Sequence, residues 1–249
     1  MYTQSDVKKY YDTYTRKYMD IYGDVIQAFR PKRTKTLLNY LIKSIGIKYH
    51  HRLIDAGCGV CGPAIFFAKE KKCFIDAITI SDQQVDIAQK KIHDANISKY
   101  VQVRDGDYHL LSSYYTPLSY DGVIFLESLG HATNPTLVLQ EAYSCLQNGG
   151  FIYIKDFFIK KVNNPSHQAK IDKVIQNMNN GYSYNTLNLT DTIDALRAMD
   201  MEILYIKKFD FADDTTIRAK FETALNMDIF EGLPEFYPAE WLEIKCIKV

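Results

Sequence analysis

The pattern of hydrophobic and polar positions changes character near residue 50. Before it, residues 5–22 are polar but carry tyrosines at 10, 11, 14, 18 and 22. Steps of three and four put Tyr11, Tyr14, Tyr18 and Tyr22 on one helical face. Arg30-Pro31-Lys32-Arg33 interrupts, and Thr34 to Ile45 reads as a second helix stopped near Gly46. Beyond residue 50, short apolar runs alternate with helical ones. Arg52–Ala56, Cys73–Ser81, Tyr100–Asp105, Asp121–Leu126 and Phe151–Phe157 read as strands. Pro63–Lys71, Asp82 to about Ala95 and Thr136–Leu146 read as helices, the last with Asn148-Gly149-Gly150 as its stop signal. This alternation predicts a parallel sheet covered on both faces, and right-handed crossovers make it doubly wound.

After residue 158 the rhythm loosens. A polar helix is expected near 166–179, then a Gly/Tyr/Asn-rich stretch and a helix from Thr190 to Met199. Met201–Phe211 and Trp241–Val249 read as a sixth and seventh strand. The excursion over 212–238 is far longer than a hairpin turn needs and is expected to cover something.

Composition narrows the class. The 249 residues hold 30 Lys+Arg and 30 Asp+Glu, a formal net charge of zero. Such a chain has no general attraction for nucleic acid or an anionic membrane. No nucleic-acid partner is expected, and a homo-oligomer is left open. No window reaches the ~18 consecutive apolar residues of a membrane helix, so no stable membrane insertion is expected. The opening residues lack the apolar run of a signal peptide. Five cysteines form an odd set in a chain too long to require staples, which points to a reduced, cytoplasmic setting. Cys58 and Cys61 make a C-x-x-C, but both lie inside a glycine loop, and one such pair makes a poor zinc site. No metal is therefore expected. The aromatic residues are mostly Tyr (19) and Phe (13), with a single Trp.

Gly57-x-Gly59-x-x-Gly62 follows a strand and opens a helix, the setting for a backbone loop that approaches a nucleotide closely. Two ligands compete: a nicotinamide or flavin dinucleotide, and S-adenosyl-L-methionine. Asp55 stands two residues before the first glycine. A carboxylate there suits an amino group and would repel a pyrophosphate. About fifty residues precede the loop, whereas dinucleotide domains usually place it near the chain start. Gly106-Asp107-Tyr108, after the third strand, is placed to hold adenine.

The residues also carry a family resemblance. From Tyr10 to about Phe157 the chain resembles the class I S-adenosylmethionine-dependent methyltransferases. Within them it is most similar to the branch of sterol and tocopherol C-methyltransferases, cyclopropane-fatty-acid synthases and geranyl-diphosphate C-methyltransferases. Tyr10-Tyr11-Asp12 resembles the H-Y-D or F-Y-D opening of that branch, and Asp55-Ala-Gly-Cys-Gly59 its D-x-G-C-G. Thr79-Ile-Ser81-Asp-Gln-Gln84 resembles its T-L-S-x-x-Q and Glu127-Ser-Leu-Gly-His131 its E-S/A-x-x-H, while Leu146-Gln-Asn-Gly149-Gly150 resembles the L-x-P-G-G of class I methyltransferases at large. The usual third loop glycine is displaced: Cys61 holds its place and Gly62 follows. After residue 158 no subfamily is recognisable.

The resemblance implies an α/β fold with a Rossmann-like, doubly wound, seven-stranded and mostly parallel sheet whose last strand is antiparallel. It implies a single domain over 1–249: a helical lid over 1–48, a cofactor-binding core over 49–158, and substrate-cap insertions over 159–189 and 212–239. It implies S-adenosyl-L-methionine as cofactor, bound by Tyr11, Asp55, Gly57, Gly59, Thr79, Ser81, Gln84, Asp107 and Tyr108. It also implies methyl transfer to a small molecule.

The sulfonium methyl is already electrophilic, so the protein must align a nucleophile, exclude water and manage one proton. An alkene nucleophile would become a carbocation, which needs a nearby anion or π-face and then a base. Glu127, just past the fourth strand, suits both tasks, and His131 would orient that carboxylate or share the base role. Tyr14 and Tyr18 on the lid helix are candidates to contact the substrate, with Tyr182 and Tyr184 beside them. Arg30, Lys32 and Arg33 would either grip a diphosphate or form a solvated basic turn. The expected activity is carbon methylation of an isoprenoid-like or other apolar substrate. O- or N-methylation of a secondary metabolite is the first rival, and an NAD(P)-dependent oxidoreductase the second.

Overall fold

The computed structural model describes residues 2–209, 216–233 and 238–249. Seven strands form one sheet in the order β3-β2-β1-β4-β5-β7-β6. They are β1 (Arg52–Ala56), β2 (Phe74–Thr79), β3 (Val101–Asp105), β4 (Tyr120–Leu126), β5 (Leu146–Ile159), β6 (Met201–Lys208) and β7 (Ala239–Lys248). β1 pairs in parallel with β2 and β4, β2 with β3, and β4 with β5. β7 runs antiparallel to both β5 and β6. This is the expected mostly parallel sheet with an antiparallel last strand.

The described α-helices are α1 (Gln4–Tyr22), α2 (Thr34–Ile45), α3 (Gly62–Lys71), α4 (Asp82–Asp94), α5 (Leu111–Tyr114), α6 (Pro135–Cys145), α7 (Pro165–Tyr182), α8 (Leu189–Arg197) and α9 (Thr216–Ala224), beside short 3₁₀ turns at Tyr108–Leu110 and Leu129–His131. Each starts for a local reason where a cap is present. Thr3 and Asp6 form a reciprocal capping box on α1, while Ser81, Asn134, Asn164 and Asn188 accept N–H bonds at the starts of α4, α6, α7 and α8. One apolar core, including α2 and α3 residues, lies against one sheet face. A second, including α6 and α8 residues, lies against the other. A third cluster is aromatic and joins Tyr10, Tyr18 and Tyr22 of α1 to Ile217 and Phe221 of α9.

Three details differ from the sequence expectation. β5 begins at Leu146, because Leu146 pairs with Tyr120 ahead of the register shift that carries the Gly149-Gly150 turn. α7 continues through Tyr182, whose ring stacks on Phe221, so tertiary packing outweighs the weak helical composition there. The excursion after β6 contains α9, with Ile217 and Phe221 four apart on its buried side. It covers the tyrosine face of α1. The expected end of the sixth strand at Asp210-Phe211, and Pro234–Tyr237 of the excursion, lie outside the described residues. No described helix is long and apolar enough to cross a membrane.

Candidate active site

The strand order reverses between β1 and β4, and the loops that follow β1, β2, β3 and β4 open at the same carboxyl edge of the sheet. Ligands of open α/β sheets bind at such a switch point. A cavity with about 770 Å³ of empty space lies there, lined by Asp55 and Thr79 from the ends of β1 and β2, Gly57 and Gly59 from the loop after β1, Gln84 from the first turn of α4, and Asp107 and Tyr108 after β3. Tyr11 and Gln27 line it from the N-terminal segment. Gly57 takes φ +86°, and a Cβ there would fall 2.5 Å from the Cβ of Ser128. Gly62 has a different role: a Cβ on it would fall 1.9 Å from the backbone oxygen of Asp24. The displaced third glycine therefore lets the N-terminal segment cross the start of α3.

Asp55 is 2% exposed, and its Oδ2 has no protein partner. Burial alone pushes its carboxyl up to about 7. Keeping that carboxylate charged without a counter-cation costs on the order of 4 kcal/mol. An ammonium group would remove the penalty, whereas a pyrophosphate would increase it. At the other end, Thr79 Oγ1 donates to Gln84 Oε1 at 2.5 Å, which leaves the Gln84 amide nitrogen to donate. Asp107 accepts from the backbone N–H and the ring Nδ1 of His109, at 2.9 and 2.6 Å. Burial pushes the Asp107 carboxyl up, but the His109 bonds outweigh it and hold the group below its usual range. Tyr108 donates to the Ser128 carbonyl at 3.0 Å.

Ser81 does not line this cavity. Its hydroxyl caps α4 by accepting from Gln84 N, and donates to Asp12 of α1 at 2.6 Å. Lys8 pairs with Asp12 and Asp82, so this polar clasp docks α1 onto the start of α4.

A second, more apolar cavity with about 580 Å³ of empty space lies beside the first. Tyr18, Tyr22, Phe157, Tyr182, Tyr184 and Trp241 supply its aromatic wall. The two cavities share four residues: Tyr11, Ile26, Glu127 and His131. Tyr14 lines neither and packs on Tyr10, ring centroids 5.0 Å apart.

Glu127 sits at φ +57°, an uncommon conformation for a residue with a side chain, and its N–H is held by the Lys155 carbonyl at 2.7 Å. One carboxylate oxygen accepts from Ala28 N at 2.6 Å, and the other from the Lys155 ammonium. Lys155 is fully buried, also donates to the Phe29 carbonyl at 2.9 Å, and lies 4.4 Å from the ring centroid of Phe209. Glu127 is thus oriented by Lys155 and Ala28. His131 contacts other groups. Its Nδ1 donates to the Ser183 carbonyl at 3.1 Å, which fixes the tautomer and leaves Nε2 to accept from the Tyr11 hydroxyl at 2.7 Å. Burial pushes the His131 imidazole down to about 4, so it is neutral at physiological pH. Nearby, Asp156 is buried and accepts from the Tyr184 hydroxyl.

Sequence reasoning missed Lys155 and Gln27. Lys155 had a signal, a charged pair Lys155-Asp156 in the middle of an apolar strand, while Gln27 had none. Arg30, a candidate for a diphosphate, is buried and donates to the Tyr22 and Val25 carbonyls at 3.1 and 2.8 Å. It lines neither cavity.

Residues 54–154 match the family described as a methyltransferase domain. Over these residues the chain is similar to class I S-adenosylmethionine-dependent methyltransferases. The aligned residues of the chain are 29% identical, over 174 residues, to (+)-O-methylkolavelool synthase of Herpetosiphon aurantiacus, covering 66% of this chain and 61% of that protein. They are 27% identical over 176 residues to sterol 24-C-methyltransferase erg-4 of Neurospora crassa, covering 70% and 45%. The chain therefore spans about half to three fifths of the length of these curated relatives. The fold superposes on geranyl diphosphate C-methyltransferase from Streptomyces coelicolor A3(2) with a TM-score of 0.79 at 16% identity, covering 99% of this chain and 97% of that one. The cofactor of such a domain is S-adenosyl-L-methionine, and the residues of this site fit it. The partnerless Asp55 oxygen suits the amino group.

Proposed function

We propose that this protein transfers the methyl group of S-adenosylmethionine to a small, uncharged, apolar molecule, and that the acceptor is a carbon of an isoprenoid-like substrate. The observation that carries this reading is the junction of the two cavities at Tyr11, Glu127 and His131. Bound in the first cavity, the cofactor supplies an electrophilic methyl group. The aromatic wall of the second excludes water from the acceptor and offers π-faces to positive charge.

Glu127, although paired with Lys155, is the carboxylate nearest the junction and stabilises a transient cation formed there. The proton of a carbocation is acidic, so a weak base suffices. Glu127 is such a base, and so is His131 Nε2 once the Tyr11 hydroxyl that donates to it turns away. A hydroxyl nucleophile would ask for a stronger base than an imidazole held near 4 or a carboxylate with a donor on each oxygen. That contrast favours carbon over oxygen.

The charges of the apolar cavity are paired within the protein, which favours an uncharged substrate. Glu127 pairs with Lys155, and Arg218 with Glu222. Relatives are named for both outcomes, O-methylation and sterol C-methylation. Oxygen or nitrogen transfer is therefore the reading to be excluded.

The test uses methyl-labelled S-adenosylmethionine with a panel of isoprenoid alkenes and alcohols, and reads the labelled atom by mass spectrometry and NMR. Label on carbon is expected. Label on oxygen or nitrogen, or no transfer to any apolar acceptor, overturns the assignment. The Glu127→Gln, Lys155→Met double variant, which leaves neither partner charged alone, should lose about a thousandfold in turnover and keep its affinity for S-adenosylhomocysteine. Normal turnover would remove Glu127 from the chemistry.

A further inference from the structure

Gln27 is 2% exposed, and neither Nε2 nor Oε1 of its amide has a hydrogen-bond partner in the protein. A buried primary amide with both ends unmet is rare, because each end carries its own desolvation penalty. The residue lines the cofactor cavity. Asp55, whose Oδ2 is also without a partner, lines the same cavity. Gln83 Oε1 is buried likewise but lies outside both cavities.

The neighbours of Gln27 fix which end of the cavity it faces. Ile26 Cδ1 lies 3.8 Å from the Cβ position of Gly59, and Ala28 N donates to Glu127. Gln27 therefore sits over the glycine loop, between that loop and the junction with the apolar cavity. Thr79 ends β2, Gln84 lies in the first turn of α4 and Asp107 follows β3, all on the far side of β1 from β4. The ligand group below Gln27 must offer an acceptor to the amide nitrogen and a donor to the amide oxygen. It must also offer a cation to Asp55. A zwitterionic α-amino acid meets all three demands at once, with its carboxylate and its ammonium.

We infer that Gln27 is a cofactor-binding residue that, together with Asp55, holds the amino-acid end of S-adenosylmethionine from the N-terminal segment. The inference rests on the reading of this cavity as the S-adenosylmethionine site. It makes residues 24–29, which lie over the glycine loop, part of the cofactor site.

The test compares S-adenosylhomocysteine with 5′-methylthioadenosine, which keeps the nucleoside and sulfur but lacks the amino-acid end. Calorimetry on the full chain reads both affinities for wild type and for Gln27→Leu. The expected result is a loss of about tenfold to a hundredfold for S-adenosylhomocysteine and a change under twofold for methylthioadenosine. Leucine removes the two unmet polar atoms, so the melting temperature without ligand should hold or rise. That measurement identifies a variant that has simply failed to fold. Gln27→Glu, which keeps one acceptor but repels a carboxylate, should also lose S-adenosylhomocysteine selectively. An equal loss for both ligands, or no loss for either, overturns the inference while leaving the cofactor reading intact. Wild type that binds neither ligand overturns the cofactor reading and the inference with it.

Discussion

The floor and the roof of this site are built in opposite ways. The floor is made by the loops after β1, β2, β3 and β4, so each of its residues lies next to the strand that positions it. The roof is assembled from pieces far apart in sequence: Tyr11 and Tyr18 on α1, Tyr182 and Tyr184 around the end of α7, Arg218 on α9 and Trp241 on β7. The floor depends on backbone conformations that only certain residue types tolerate, such as Gly57 at φ +86°. The roof depends on long-range aromatic packing, for which many sequences would serve. A constrained floor with an adaptable roof is what a shared cofactor and a chain-specific substrate require.

One side chain ties the two together, and removing it should give the largest effect. Lys155 is fully buried in β5 and holds Glu127 of the floor and the Phe29 carbonyl of the roof. Lys155→Met leaves the Glu127 carboxylate buried without its cation, a loss of roughly 3–5 kcal/mol. In a chain of this size that lowers the melting temperature by about 10 °C. Adding Glu127→Gln should restore most of it. A single variant that melts within ~2 °C of wild type would mean that this pair does not join roof to floor.

The second effect belongs to the floor alone. Burial lifts the Asp55 carboxyl to about 7, above its ordinary 3.8. Without ligand the folded state then holds a proton that the unfolded chain has released. The Asp55 contribution therefore makes stability fall as pH rises from about 4 to about 7, and leaves it flat beyond. A ligand ammonium favours the charged carboxylate, so binding expels that proton below pH 7. Affinity for S-adenosylhomocysteine should fall by about a hundredfold between pH 7 and pH 5. Asp55→Asn should bind weakly at both values, with most of the slope gone. Calorimetry in buffers of different ionisation enthalpy counts the proton directly, and a wild-type affinity independent of pH would contradict the ammonium assignment. Asp156 is also lifted to about 7, first by burial, but lines neither cavity, so Asp156 affects stability more than binding.

The same contrast explains what was legible in the sequence. The alternation of strands and helices up to Phe157 and the spacing around Gly57 reported the floor, because period and glycine placement are local properties. Asp55, Thr79, Gln84, Asp107 and Tyr108 all line the cofactor cavity for that reason. Ser81 carried the same signal and lies elsewhere, since a serine before a helix serves equally as its cap. The roof was only half legible. Periodicity put Tyr14 on one face with Tyr11 and Tyr18, but α1 meets α9 and the apolar cavity along only part of that stripe. The helical signal of α9, Ile217 and Phe221 at a spacing of four, was short and stood in an irregular stretch. Gln27 was illegible because its importance lies in lacking a partner, which no local pattern encodes.

The smallest effect separates two tyrosines that the sequence treats alike. Tyr18 is buried, its hydroxyl bonds that of Tyr10 at 2.8 Å, its ring stacks on Phe221 at 4.0 Å, and it lines the apolar cavity. Tyr14 is half-buried against Tyr10 and lines no cavity. Tyr18→Phe strands the Tyr10 hydroxyl and should cost about 1 kcal/mol, with a change in substrate KM because one polar atom leaves the cavity region. Tyr14→Phe should stay within about 0.5 kcal/mol and leave KM and kcat alone. Paired thermal melts and steady-state kinetics read both. Equal kinetic effects would extend the aromatic roof across the whole face of α1. A silent Tyr18 beside an active Tyr14 would mean that α1 presents a different side to the substrate than to α9.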